Sequence, residues 1–161
     1  AVQYLAVFWL VSVFWPVGLA AVKLVVGWIS SAVLASSGTA SDLFDAERGS
    51  ISGLIFRLLA VIMVWVLSFS LVPAAVEWLP ATMMPLWGGI LLIGMGALQL
   101  GMTTRIIRVV VGLLTMLAGF EILYAVIETS VLVAGLLAVI NLGVALVGSY
   151  LLALQVYLEE G

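Results

Sequence analysis

Apolar runs of bilayer-spanning length, separated by short polar breaks, fill this chain almost from end to end. A spanning helix needs about 20 apolar residues at about 1.5 Å rise each. Residues 1–37, 51–72, 86–102, 109–127 and 131–158 each meet or approach that length. In lipid, backbone amides and carbonyls must be satisfied internally, so runs of this length predict helices.

Composition supports the same reading. Of the 161 residues, 66% are hydrophobic and 8% are charged, whereas a soluble domain carries about 25% charged residues. The mean hydropathy is +1.40. So few charges cannot cover the surface of a water-soluble fold, but lipid solvates an apolar exterior. A secretory signal would account for one apolar stretch near the N-terminus, not for several along the chain. The expectation is an all-α, polytopic transmembrane helix bundle forming a single membrane domain over residues 1–161. It has five spans, or six if residues 1–37 form a hairpin.

That uncertainty lies in the first run. Thirty-seven residues of helix would measure about 55 Å, too long for one simple span, and Pro16 and Gly18 interrupt it. They mark either a kink or the turn of a helical hairpin. Residues 38–50, GTASDLFDAERGS, are the most polar stretch. Ser41 is placed to cap a short interfacial helix, with Leu43 and Phe44 dipping into the headgroups. Residues 73–85, with three of the four prolines, Glu77 and Trp78, read as a loop at the opposite surface with an interfacial tryptophan. Residues 128–130 read as a tight turn.

Alternation of the spans sorts the charges. Arg48, Arg105 and Arg108 fall on one side, joined by Arg57 if it snorkels back to the interface. The opposite loops hold no Lys or Arg, and Glu77 and Glu128 lie near that far surface. The positive-inside rule then makes loops 38–50 and 103–108 and the C-terminus cytoplasmic. The expected location is a bacterial or archaeal inner membrane. The net charge of −3 gives no reason to expect nucleic acid as a partner.

Glycines recur at a spacing of seven: Gly89 and Gly96, Gly94 and Gly101, Gly112 and Gly119. Seven residues is about two turns, so each pair lies on one helix face. Small residues let helix backbones approach closely in lipid, and Ala134 and Ala138 add a small-xxx-small pair. These positions predict close packing, within the chain or against a partner.

Glu121 is the most informative polar residue. It lies inside the run 109–127, where a carboxylate costs a few kcal/mol or more on insertion scales (~2.5–3.5 for Asp at a helix centre). It is therefore either protonated or paired. One reading is a proton-exchange site; the other is a group that only holds helices together. Glu128 follows seven residues later on the same face, as a second relay step or as a solvated interfacial carboxylate. Lys23 lies in the first run, either pairing with Glu121 or a partner's acid, or snorkelling. Asn141 and Gln99 can hydrogen-bond across helices, at about 1 kcal/mol or less each, and Asn141 can also hold a water for proton transfer. Tyr124, one turn from Glu121, can bond a carboxylate or simply pack. With no Cys and no His, thiol chemistry, His-ligated metals and a His shuttle are excluded. No nucleophile–base pair, metal cluster or cofactor motif is recognisable, so no catalytic residues, metal or cofactors are expected.

The C-terminal half, LWGGILLIGMGALQLGMTTRIIRVVVGLLTMLAGFEILYAVIETSVLVAGLLAVINLGVALVGSYLL, carries a resemblance. A Gly-rich helix, a short basic loop, a helix with Gly-Phe-Glu and a third helix follow in order. Over about residues 85–157 this three-helix unit resembles the K subunit of complex I and its relatives in multisubunit cation/proton antiporters and membrane-bound hydrogenases. Glu121 matches the family's middle-helix glutamate; Arg105 and Arg108 match its basic loop. The family's second glutamate, in the third helix, has Asn141 as its nearest equivalent here, and the turn before that helix is very short. Residues 1–84 resemble nothing recognised. The resemblance implies a small subunit of an energy-converting membrane complex, with Glu121 in a chain of charges along the membrane plane. Other membrane subunits and lipid would be its partners. Two alternatives stand beside it: a structural or lipid-binding subunit without conduction, and, ranked last, an independent transporter, for which no internal repeat is visible.

Overall fold

The computed structural model describes residues 2–12, 17–37, 51–78, 83–128 and 130–159. Six helices order these residues: α1 (Val2–Val11), α2 (Val17–Ser37), α3 (Ile51–Trp78), α4 (Met83–Gly101), α5 (Ile106–Ile127) and α6 (Val131–Glu159). The chain is an all-helical membrane bundle. Four helices are long and apolar enough to cross a bilayer, over Ile55–Trp78, Met83–Gly101, Ile106–Ile127 and Val131–Gln155, and α2 adds a shorter apolar stretch, Ala20–Ser36. Residues 1–37 divide into two helices, with α1 packed back against α2. Pro16, the 38–50 segment with Ser41, Leu43, Phe44 and Arg48, Thr129 and residues 160–161 lie outside the described residues.

The second span differs from its sequence boundary. Helix α3 does not stop at residue 72; it carries Pro73 in its interior and continues to Trp78, which is exposed. Proline removes one helical hydrogen bond, yet transmembrane helices tolerate the loss because neighbouring groups re-satisfy the freed carbonyl. Helix α4 starts at Met83, with Pro85 in its first turn, where the missing N–H has no intrahelical partner anyway. The expected 73–85 loop therefore contracts to the few residues between these helices.

The closest helix pair is α4 with α5, and α3 packs chiefly on α4. There Trp87 makes edge-type contacts with two rings, Trp65 at 5.5 Å and Phe69 at 5.2 Å between centroids. Helix α2 packs mainly along α6, and α1 fills the angle between α2 and α5. The centre holds two apolar clusters. One gathers Val7, Ala20, Ala118, Ile122, Ala125 and Ala134. The other gathers Leu34, Ile107, Val110, Leu114, Ala145 and Leu152. Arg57 and Arg105, near the starts of α3 and α5, sit towards one end of the bundle. Glu77 and Glu128 sit at the other ends of those helices.

Glycine explains the α4–α5 contact. A Cβ on Gly96 would lie 2.6 Å from the Met116 amide nitrogen and 2.7 Å from the Gly112 carbonyl oxygen. One on Gly119 would lie 2.6 Å from the Gly89 carbonyl oxygen, and one on Gly89 2.7 Å from the Leu123 side chain. A Cβ on Gly112 would be 3.2 Å from Leu100. All four glycines thus face the same interface, where backbone meets backbone. Gly94 instead faces Val64 of α3, and around Gly101 there is open space. Ala134 and Ala138 are buried.

Candidate functional site

Three polar side chains from three helices meet in the centre of the bundle. Lys23 of α2 places its Nζ 2.7 Å from Glu121 Oε1 of α5. Asn141 of α6 donates from Nδ2 to the same oxygen at 2.6 Å. Glu121 and Asn141 are 1% exposed and Lys23 is 2% exposed, so no member of the cluster is solvated at a surface.

Local structure dictates this meeting. Lys23 is about 9 Å along α2 from its first residue, Glu121 about 9 Å from the last residue of α5, and Asn141 about 15 Å from the first residue of α6. These ends lie towards one side of the bundle, so the three groups reach similar depth. Small residues surround them: Ala20 on α2, Ala118 and Ala125 on α5, Ala138 on α6. Helix α2 packs chiefly on α6 and α1, so the lysine stem extends to α5 to deliver its ammonium.

Both donors use Oε1. Glu121 Oε2 and Asn141 Oδ1 are buried and have no hydrogen-bond partner among the described residues. Each is an acceptor, and an unsatisfied acceptor in a low-dielectric interior is costly. Ser30, on α2 seven residues after Lys23, is also fully buried, with its hydroxyl unpartnered among the described residues. Other hydroxyls of the bundle bond their own helix: Ser31 to the Gly27 carbonyl, Ser68 to Val64 and Thr115 to Val111, each at 2.8 Å.

The remaining sequence candidates fall elsewhere. Glu128 caps the end of α5 and is exposed, so the cluster around Glu121 does not include it. Gln99 donates to the Arg108 carbonyl at 3.0 Å, tying the end of α4 to the start of α5. Arg105 is exposed at the N-cap of α5, and Arg108 is half-buried one turn later. Tyr124 stacks on Phe120, with centroids 6.3 Å apart, and packs against the core. Besides Ser68 and Thr115, which bond their own helices, two buried residues carry no role in the sequence analysis: Ser30, whose signal is its two-turn spacing from Lys23, and Tyr4, 2% exposed, whose ring lies against Gly27.

Comparison with family models, with curated proteins and with solved structures returns no match. The functional reading therefore rests on the geometry of the Lys23–Glu121–Asn141 cluster and on the sequence resemblance of residues 85–157.

Proposed function

We propose that this chain is a small integral membrane subunit of a multisubunit energy-converting complex, contributing Glu121 to a proton or cation translocation path. The observation that carries the reading is the ion pair of Lys23 and Glu121, fully buried in a membrane bundle. Intramembrane ionisable residues are expensive and mark ion pathways and proton relays by default. Replacing a buried pair with apolar residues is often neutral or stabilising, so stability alone does not explain its presence.

The chemistry follows from the shared oxygen. With the Lys23 ammonium and the Asn141 amide on Oε1, the charged carboxylate is stabilised. When the ammonium withdraws, the carboxylate loses its counter-charge inside the bundle and takes up a proton. Oε2 offers the free acceptor for that proton. A neighbouring subunit that shifts charge near Lys23 would thereby drive proton exchange at Glu121. The positive-inside rule supports placing the Arg57–Arg105 end in the cytoplasm.

The alternative is a purely structural subunit, favoured by one observation: the same three side chains tie α2, α5 and α6 together. Two variants separate the readings. The tagged full chain is isolated with its natural neighbours, and proton uptake by energised vesicles is followed with a pH-sensitive dye. Glu121→Gln strands Lys23, so a Lys23→Met/Glu121→Gln double variant serves as the control for assembly. The proton-path reading expects the double variant to assemble normally while uptake falls tenfold or more. Full uptake by an assembled Glu121→Gln or double variant sinks the proton role and leaves the structural one.

A further inference from the structure

A cavity of about 430 Å³ opens between α5 and α6, and Lys23, Glu121 and Asn141 are not among its lining residues. Its walls include Val109 and Leu113 of α5 and Ile140 and Leu151 of α6, with Thr104 at one end and Gly143 among its lining residues. The wall is hydrocarbon almost throughout. Gly143 bears on the shape: a Cβ there would meet nothing within 4 Å, whereas one on Gly148 would come within 2.6 Å of Val110. The two helices thus touch at Gly148 and leave a gap beside Gly143.

The dimensions and charge of the gap select an occupant. On α6 the lining runs from Ile140 to Leu151, about 16 Å of helix rise. That equals roughly one leaflet, half of a hydrocarbon core about 30 Å thick. Next in the chain after Thr104 is Arg105, exposed at the N-cap of α5. An apolar slot one leaflet deep, with an exposed arginine next in sequence to the residue at its end, is complementary to one molecule class. We propose that the groove between α5 and α6 binds an anionic phospholipid, an acyl chain lying along Val109, Leu113 and Gly143 and the phosphate facing Arg105. A zwitterionic lipid fits the same slot but gains less from Arg105. An arginine near the membrane surface attracts anionic lipid by about 1 kcal/mol, about fivefold in affinity. This site is independent of any proton role for Glu121.

The test uses the full chain in vesicles of phosphatidylcholine containing phosphatidylglycerol, either lipid being brominated on its acyl chains in turn. Lipid retained after gentle detergent extraction is counted by native mass spectrometry. The expected result is retention of phosphatidylglycerol over phosphatidylcholine. Arg105→Gln should lower that preference about fivefold, and Gly143→Phe should abolish retention by filling the open slot. Both positions tolerate change, Arg105 being exposed and Gly143 facing space, and unchanged helix content confirms a folded variant. Gly143→Leu is the milder substitute if phenylalanine disturbs folding. Equal retention of the two lipids, or retention unaffected by both variants, overturns the proposal. So does crosslinking that finds residues 38–50, or a helix of another subunit, seated against Gly143.

Discussion

Lys23 and Glu121 stand 98 positions apart in the chain and 2.7 Å apart in the bundle, each almost wholly shielded from solvent. Their pairing ties α2 to the middle of the three C-terminal helices. Residues 85–157 therefore do not complete the site alone; its cation comes from the N-terminal half.

Removing one member should cost far more than removing both. Lys23→Met strips Glu121 of its counter-charge, and at a pH high enough to keep the carboxylate ionised a loss of about 3–5 kcal/mol of stability is expected. Lys23→Met combined with Glu121→Leu should recover most of that loss, since apolar groups of similar size replace a desolvated pair. Reversible unfolding in mixed micelles, arranged as a double-mutant cycle, measures the coupling. Additive losses in the cycle would mean that the two side chains do not interact.

The glycines at the α4–α5 contact should be unequal to Gly135 of α6. A side chain at Gly96 meets the backbone of α5, which cannot swing aside as a flexible side chain can. Gly96→Leu should separate the two helices and cost at least the upper part of the ~1–3 kcal/mol typical of overpacking. Gly135→Leu enters open space and should leave stability within about 0.5 kcal/mol. Cysteine crosslinking between α4 and α5, together with thermal melting in detergent, checks both. Equal tolerance at the two positions would contradict the packing described.

A third expectation concerns the N-terminal helix pair. The ring of Tyr4 occupies the space where a Cβ on Gly27 would project. Gly27→Ala should loosen α1 from α2, raise proteolytic cleavage between them and cost about 1–3 kcal/mol. Tyr4→Ala in the same chain should relieve the overlap, so the double variant holds α1 better than Gly27→Ala alone. No rescue would show that the two positions do not share that space.

The extent of the helices was largely legible from hydropathy and length. Helices α5 and α6 begin and end within a few residues of the apolar runs 109–127 and 131–158. The end of α3 was not, because Pro73 breaks helices in water more decisively than in a bundle whose neighbours supply the missing bonds. The run 1–37 offered a kink or a hairpin, and Pro16 and Gly18 are compatible with both; the packing of Tyr4 on Gly27 distinguishes them. Glu121 was visible as a buried acid from sequence alone. Its partner was one of several alternatives for Lys23, because helix neighbours depend on side-chain packing over a distance that periodicity does not encode. Asn141, ten residues into α6, is of a residue type expected to hydrogen-bond across helices, and it does bond across to Glu121.

The touching glycines of α4 and α5 have a mechanical corollary. With main chain resting on main chain, that pair has no soft layer to shear, and it behaves as a beam to which the acid is fixed. The ammonium rides on a different helix, held by an aliphatic tether. Any rocking of the beam against α2 must stretch the bond between opposite charges, a separation that paired spin labels on α2 and α5 would report.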